Sequence, residues 1–235
     1  MEAGVAEPDA KTPRERYRAQ VRDEIKKQAW EQIADAGASG LSLNAIAKQI
    51  GVSGPALYRY FANRDELITE LIRDAYRSLA DTFRARAAAG AGLAELAYTL
   101  RRWALDDPQR YFLIYGTPVP GYEAPQDTVG IASEIMAVLL DACAAGAGAG
   151  AGAPGASPAG PFDEHLDEHL DEHLDEHEHR PWAREHHAPP SALSRALLFW
   201  TRLHGVLSLE LAGHFAGMGF DPAELYAAEI RALTR

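Results

Sequence analysis

Cysteine is almost missing. Cys143 is the only one in 235 residues, so neither a disulfide framework nor a cysteine-based zinc site can form within one chain. It reads as a small buried hydrophobe near a helix end. The N-terminus, MEAGVAEPDAKTPRERYRAQ, has no apolar core after its charges, and no later stretch reads as apolar and uncharged over the length of a bilayer crossing. The richest, Ala196 to Ala212, is interrupted by Arg202, His204 and Glu210. A cytoplasmic chain with no membrane partner is expected. Enzyme signatures are absent too: there is no G-x-S-x-G, no H-E-x-x-H, no P-loop and no G-x-G-x-x-G after a strand. No catalytic residue, metal or cofactor is therefore assigned. No segment sustains period-two alternation with β-branched residues, which leaves an all-α fold.

Positive charge is also scarce, with 23 Lys and Arg against 34 Asp and Glu and a net charge of -11. That balance looks wrong for a nucleic-acid binder until the charge is located. Nine acids and no Lys or Arg stand between Asp163 and His179, whereas from Lys11 to Phe61 nine basic side chains face five acids. The acid is local, and the N-terminal segment is mildly basic.

The length suits a small domain followed by a medium one. Val21, Ile25, Ala29, Ile33 and Ala36 recur at helical spacing and predict a first helix that stops at Gly37. Ser42 is placed to cap a second helix, which buries Leu43, Ile46, Ala47 and Ile50 and ends at Gly51. Ser53 caps a third, reaching Phe61, with Pro55 in its first turn and Leu57 and Phe61 pointing inward. Asn63 and Glu66 open a fourth, with Leu67, Leu71, Ala75 and Leu79 inside, which extends to about Ala88. The pattern resumes through Leu93, Leu96, Leu100 and Trp103 and breaks at Asp106-Asp107-Pro108. A short aromatic helix follows from Tyr111 to Tyr115, then a proline-rich loop over Thr117 to Pro125, then a helix from Val129 to Ala145. Two more are expected, Ser191 to about Met218, and one opened by Asp221-Pro222-Ala223-Glu224.

Residues 42–61 thus form a helix, a tight turn and a second helix that leaves one polar and aromatic face free. That face presents Ser53, Gly54, Pro55, Ala56, Tyr58, Arg59 and Tyr60, with Arg64 just beyond. Hydroxyl and guanidinium groups suit phosphate oxygens and base edges, and the small Ala56 permits close approach. Ser42 and the first amides of the second helix are candidates to hold a phosphate. Arg14, Arg16 and Arg18 are expected on a flexible arm.

The run I-A-x-x-x-G-V-S-x-x-x-L-Y-x-Y-F-x-N-R-x-E-L, Ile46 to Leu67, resembles the signature of the TetR family of transcriptional regulators. Arg64 stands where lysine is more usual and Tyr60 where histidine is, and both keep donor capacity. Further on, Trp200, His204 and Gly205, with the D-D-P-x-x-Y run at Asp106 to Tyr111, resemble a subgroup of that family named for its Trp-His-Gly residues. The resemblance implies a basic arm over 1–17, a DNA-binding domain over 18–78 and a regulatory domain over 79–235. It also implies a homodimer on double-stranded operator DNA, joined through the last two helices and released by a small-molecule effector. Leu207, Leu211, Phe215, Leu225 and Ile230 are the apolar groups expected at that interface. Alternatives are a ligand-independent activator or architectural DNA binder and, more remotely, a helical enzyme or carrier.

Trp103, Tyr111, Phe112, Tyr115, Phe199 and Trp200 are candidates to line the effector pocket, although aromatic residues at helical spacing are also what a core uses. His204 is either a ligand contact or a buried histidine bonded to a neighbouring helix, and Gly205 is expected to let helices approach closely. Residues 144–190 form a low-complexity insert. Its alanine-glycine half reads as a linker, and its DEHL repeat places His165, His169, His173 and His177 four apart. Such a stripe winds about 40 degrees per step round a helix, so a solvated insertion rather than a metal pocket is expected.

Overall fold

The computed structural model describes residues 12–123, 125–150 and 190–234, which are helical with no strand among them. The helices are α1 (Pro13–Ala36), α2 (Leu43–Gln49), α3 (Gly54–Leu57), α4 (Arg64–Ala88), α5 (Leu93–Asp106), α6 (Pro108–Tyr115), α7 (Gln126–Gly150), α8 (Pro190–Leu211) and α9 (Pro222–Leu233). The chain divides into two compact units. One is Met1–Leu71 with Val119–Tyr122, the other Ile72–Pro118 with Glu123–Arg235. The DEHL repeat and its histidines lie outside the described residues.

In the first unit, the three- and four-residue spacing puts Ile25, Ala29 and Ile33 of α1 against Ile46 and Ala47 of α2 and Leu57, Phe61, Leu67, Ile68 and Leu71, all buried. Ser42 and Ser53 cap α2 and α3 by accepting from the Ala45 and Ala56 amides. The tight turn after α2 is a Schellman closure. The Val52 amide donates to the Ala47 carbonyl at 3.0 Å and the Gly51 amide to the Lys48 carbonyl at 3.4 Å, with Gly51 at φ 73°, a conformation that any Cβ opposes.

In the second unit, α5, α7, α8 and α9 supply one apolar core that includes Leu96, Leu100, Ile135, Leu139, Phe199, Leu203, Leu207, Tyr226 and Ile230. Tyr226 is fully buried because its hydroxyl donates to the Ala97 carbonyl at 2.8 Å. Cys143 is buried beside Leu140, Ala192, Leu193 and Ala196, and burial pushes its thiol up to about 11.

Four expectations change. The arm over 1–17 is helical from Pro13, because Thr12 and Glu15 form a capping box that starts α1 there and places Arg14 and Arg16 in its first turns. Helix α7 runs on to Gly150, through part of the expected linker, although the glycines there disfavour a helix. Its segment Asp127–Ala145 is long and apolar enough to cross a membrane, contrary to the sequence reading. Yet Glu134 on that segment bonds Arg77 and Arg84, and its apolar side supplies core residues Ile135 and Leu139. Finally, α8 stops at Leu211 instead of Met218. The His214 amide donates to the Leu209 carbonyl and the Gly213 amide to that of Glu210, a second Schellman closure around Gly213 at φ 76°.

Candidate functional site

The first unit presents α3 on a rigid support. Leu57 and Phe61 have no exposure, whereas Ser53, Pro55, Tyr58 and Arg59 are exposed and Gly54, Ala56 and Tyr60 half-buried. The α-helical part is shorter than expected. From Arg59 the chain tightens into a 3-10 turn, with the Arg59 amide bonded to the Ala56 carbonyl at 3.3 Å and the Tyr60 amide to that of Leu57 at 2.8 Å. The freed carbonyls are met from α1. Arg22 donates to the Tyr60 carbonyl at 2.8 Å and Arg18 to that of Arg59 at 3.5 Å. Arg22 also lies 4.3 Å over the Phe61 ring and pairs with Glu70 at 3.1 Å. One guanidinium thus fixes where α3 ends. Sequence spacing could not have found it, because its partners are far along the chain.

Arg64 is placed differently from the expectation. Its guanidinium donates to the Ala38 carbonyl at 2.7 Å and sits 3.6 Å from Asp65. It ties the start of α4 to the turn after α1. Ser42 is exposed, and its oxygen accepts the Ala45 amide, which leaves its proton available. The Val119–Tyr122 segment closes on the same unit through a 2.9 Å bond between the Tyr122 and Thr69 hydroxyls.

The second unit gathers rings from α4, α6 and α8. His204 stands 4.3 Å from Trp200, 4.4 Å from Tyr115 and 5.5 Å from Tyr111 between ring centroids. Tyr76, which no sequence pattern singles out, joins edge-on to Tyr115 at 6.0 Å, and Phe112 packs on Tyr111 at 5.7 Å. The Tyr111 hydroxyl lies 2.9 Å from both His204 Nδ1 and Ser208 Oγ. His204 is therefore bonded to a neighbouring helix. Burial holds its imidazole down to about 3, and so neutral, while burial raises the Tyr115 phenol well above its ordinary value. Tyr115 Oη and His204 Nε2 are sealed from solvent without a hydrogen-bond partner among the described residues. Trp103 and Phe199 stand apart from this cluster. The Trp103 indole donates to Ser78 at 3.1 Å under Arg110, and Phe199 is buried in the core.

The expected interface residues divide. Leu207 and Ile230 are core residues of a single chain, because their face of α8 and α9 packs inward on α5; Leu211, Phe215 and Leu225 pack half-buried against the same core. The outward face of α8 and α9 instead carries Gly205, Leu209, Ala228 and Ala232, all exposed, with exposed Ala212 just past the end of α8. Gly205 has open space where a Cβ would stand, so no close helix approach among the described residues requires it.

Comparison with known proteins accounts for most of the chain. A family model described as bacterial regulatory proteins, tetR family, matches residues 25–71, and one described as tetracyclin repressor-like, C-terminal domain, matches residues 93–233. HTH-type transcriptional regulators of Mycobacterium bovis and Mycobacterium tuberculosis are each 35% identical over 227 residues, 92% of both chains. The crystal structure of a regulatory protein designated SCO4313 matches with a TM-score of 0.80 at 66% identity, covering 94% of this chain and 98% of that one. A TetR/AcrR regulator of Thermobifida fusca, 18% identical over 92% of this chain and 97% of its own, shares the fold at a TM-score of 0.58.

Proposed function

The chain is a TetR-family transcriptional regulator, and on that premise we propose that it is a dimeric cytoplasmic repressor that leaves its operator when a small molecule binds its aromatic cluster. The observation that carries the reading is the division of α3 into buried Leu57 and Phe61 and exposed Tyr58 and Arg59. A helix anchored by one face and free on the other is what major-groove docking needs. Ser42, Ser53, Gly54, Pro55, Ala56, Tyr58, Arg59 and Tyr60 form the DNA-facing set, with hydroxyls and Arg59 on phosphates and the small residues allowing approach. Arg64 acts behind them as a brace. Arg14 and Arg16, exposed in the first turns of α1, add positive charge to the same unit.

Two copies joined across the Gly205, Leu209, Ala228 and Ala232 face would set two α3 helices in successive major grooves about one DNA turn apart. The effector acts by favouring a state in which that spacing is lost. Helix α6 is the element placed to carry the change. It supplies Tyr111 and Tyr115 to the cluster, and four residues later the chain enters Val119–Tyr122, which closes on Thr69 of α4.

The test is a footprint of the full chain on the DNA upstream of its own gene, repeated with fractions of a small-molecule extract of the host cell. Protection of a two-fold-symmetric site that a fraction abolishes is the expected result. Protection without sequence preference, or insensitive to every fraction, contradicts a ligand-released repressor.

A further inference from the structure

Buried polar groups of the second unit mostly find partners: Tyr111 has His204 and Ser208, Tyr226 the Ala97 carbonyl, Trp103 the Ser78 hydroxyl. Among the described residues, Tyr115 Oη and His204 Nε2 find none, although their rings are 4.4 Å apart. A buried donor or acceptor left unpaired disfavours the fold, and two in one ring cluster are a feature that binding can relieve. Phe112, Tyr115 and Trp200 are only half-buried, so the cluster has apolar surface to offer. Four arginines of this unit are held in ion pairs. Arg73 is 2.6 Å from Asp127, Arg77 2.9 Å from Glu134, Arg110 3.0 Å from Asp107 and Arg202 3.6 Å from Glu229.

Resting on the reading of this cluster as the effector site, we propose that the effector is an uncharged, largely apolar molecule whose single oxygen function, a hydroxyl or a carbonyl, bonds both Tyr115 Oη and His204 Nε2. One oxygen satisfies both atoms in either histidine tautomer. When Nδ1 accepts the Tyr111 proton, Nε2 carries its own and donates, so a carbonyl receives two bonds, one from each residue. When Nδ1 is protonated, Nε2 accepts from a ligand hydroxyl whose oxygen accepts from Tyr115. A carboxylate would lose its hydration on entering an apolar site beside a neutral imidazole, which burial opposes. A hydrocarbon would leave both polar atoms unmet.

The experiment compares 2-naphthol, naphthalene and 2-naphthoate, which share one ring frame, by calorimetry and tryptophan fluorescence on the full chain near neutral pH. The neutral alcohol binds about tenfold tighter than the hydrocarbon, and the anion binds weakest. Tyr115→Phe and His204→Gln each bring 2-naphthol down towards naphthalene. Tyr115→Phe also raises the melting temperature of the free protein, because it deletes a hydroxyl without a partner; a hydroxyl with a structural role would lower it. Equal binding of alcohol and hydrocarbon, or tightest binding of the anion, overturns the proposed effector class while keeping the cluster as a binding site. No binding of any probe, or binding that both substitutions leave untouched, overturns the cluster as the site itself. A lower melting temperature for Tyr115→Phe overturns the claim that its hydroxyl is unpartnered.

Discussion

Arg22→Met keeps the length of an aliphatic stem and removes the guanidinium that ends α3. Three interactions go together: the 2.8 Å bond to the Tyr60 carbonyl, the 4.3 Å stacking over Phe61 and the 3.1 Å pair with Glu70. A hydrogen bond from a charged donor contributes roughly 1.5 to 3 kcal/mol and a part-exposed cation–π contact about 0.5 to 1 kcal/mol. The ion pair adds little, because both side chains keep more than a quarter of their exposure (27% and 28%) and are screened. The first unit should therefore lose about 3 kcal/mol of unfolding free energy, read as a lower urea midpoint with an unchanged slope. Operator affinity should fall only in proportion to misplaced α3, and excess protein should restore full occupancy with the parent's salt dependence. A variant that melts like the parent yet has a salt slope smaller by about one would mean that Arg22 touches phosphate, and the positioning argument would be wrong.

Burial separates the two faces of α8 in the same way. Leu209→Glu, on the exposed face, should give folded monomers in light scattering, whereas Leu207→Glu, in the core, should abolish cooperative melting. A folded dimer from Leu209→Glu would place the interface elsewhere. His204 gives a pH signature. Its folded pKa of about 3 lies below the ordinary 6.5, so between these values the unfolded chain binds more protons and acid destabilises the fold. The contribution is fully present above about pH 6.5 and falls by up to about 1.4 kcal/mol for each pH unit below it. His204→Gln should lack that slope in urea titrations at neutral and mildly acid pH; equal slopes in both proteins would show the imidazole to be solvated.

Helix order was legible because caps and spacing are local. Ser42, Ser53 and Asp221 each accept an amide at a helix start, as their positions in the sequence suggest. The residues behind the reading helix were legible for the same reason, since Leu57 and Phe61 lie one turn apart. What spacing does not encode is which side of an all-apolar helix meets its own subunit. Leu207 and Leu209 are equally apolar in sequence, and only the packing of α5 against α8 makes the first core and the second surface. Nor does spacing encode the brace that Arg64 makes, because the Ala38 carbonyl 2.7 Å away lies 26 residues earlier in the chain. Tyr76 and the unmet Tyr115 hydroxyl come from distant segments, so no window of sequence contains the cluster they form with His204.

DNA reading by α3 is tested most directly by one paired measurement: melting and operator binding of Tyr58→Ala, Arg59→Ala and Arg64→Ala, each at two salt concentrations. Tyr58 is 46% exposed, so its removal should leave the melting midpoint almost unchanged. Tyr58→Ala and Arg59→Ala should each weaken binding by roughly 1 to 3 kcal/mol, and Arg59→Ala should lower the salt slope by about one for each phosphate it no longer neutralises. Arg64→Ala should instead lower the melting midpoint and leave the salt slope intact. If Tyr58→Ala and Arg59→Ala together leave binding to a defined operator unchanged in a protein that melts normally, α3 is not the reader.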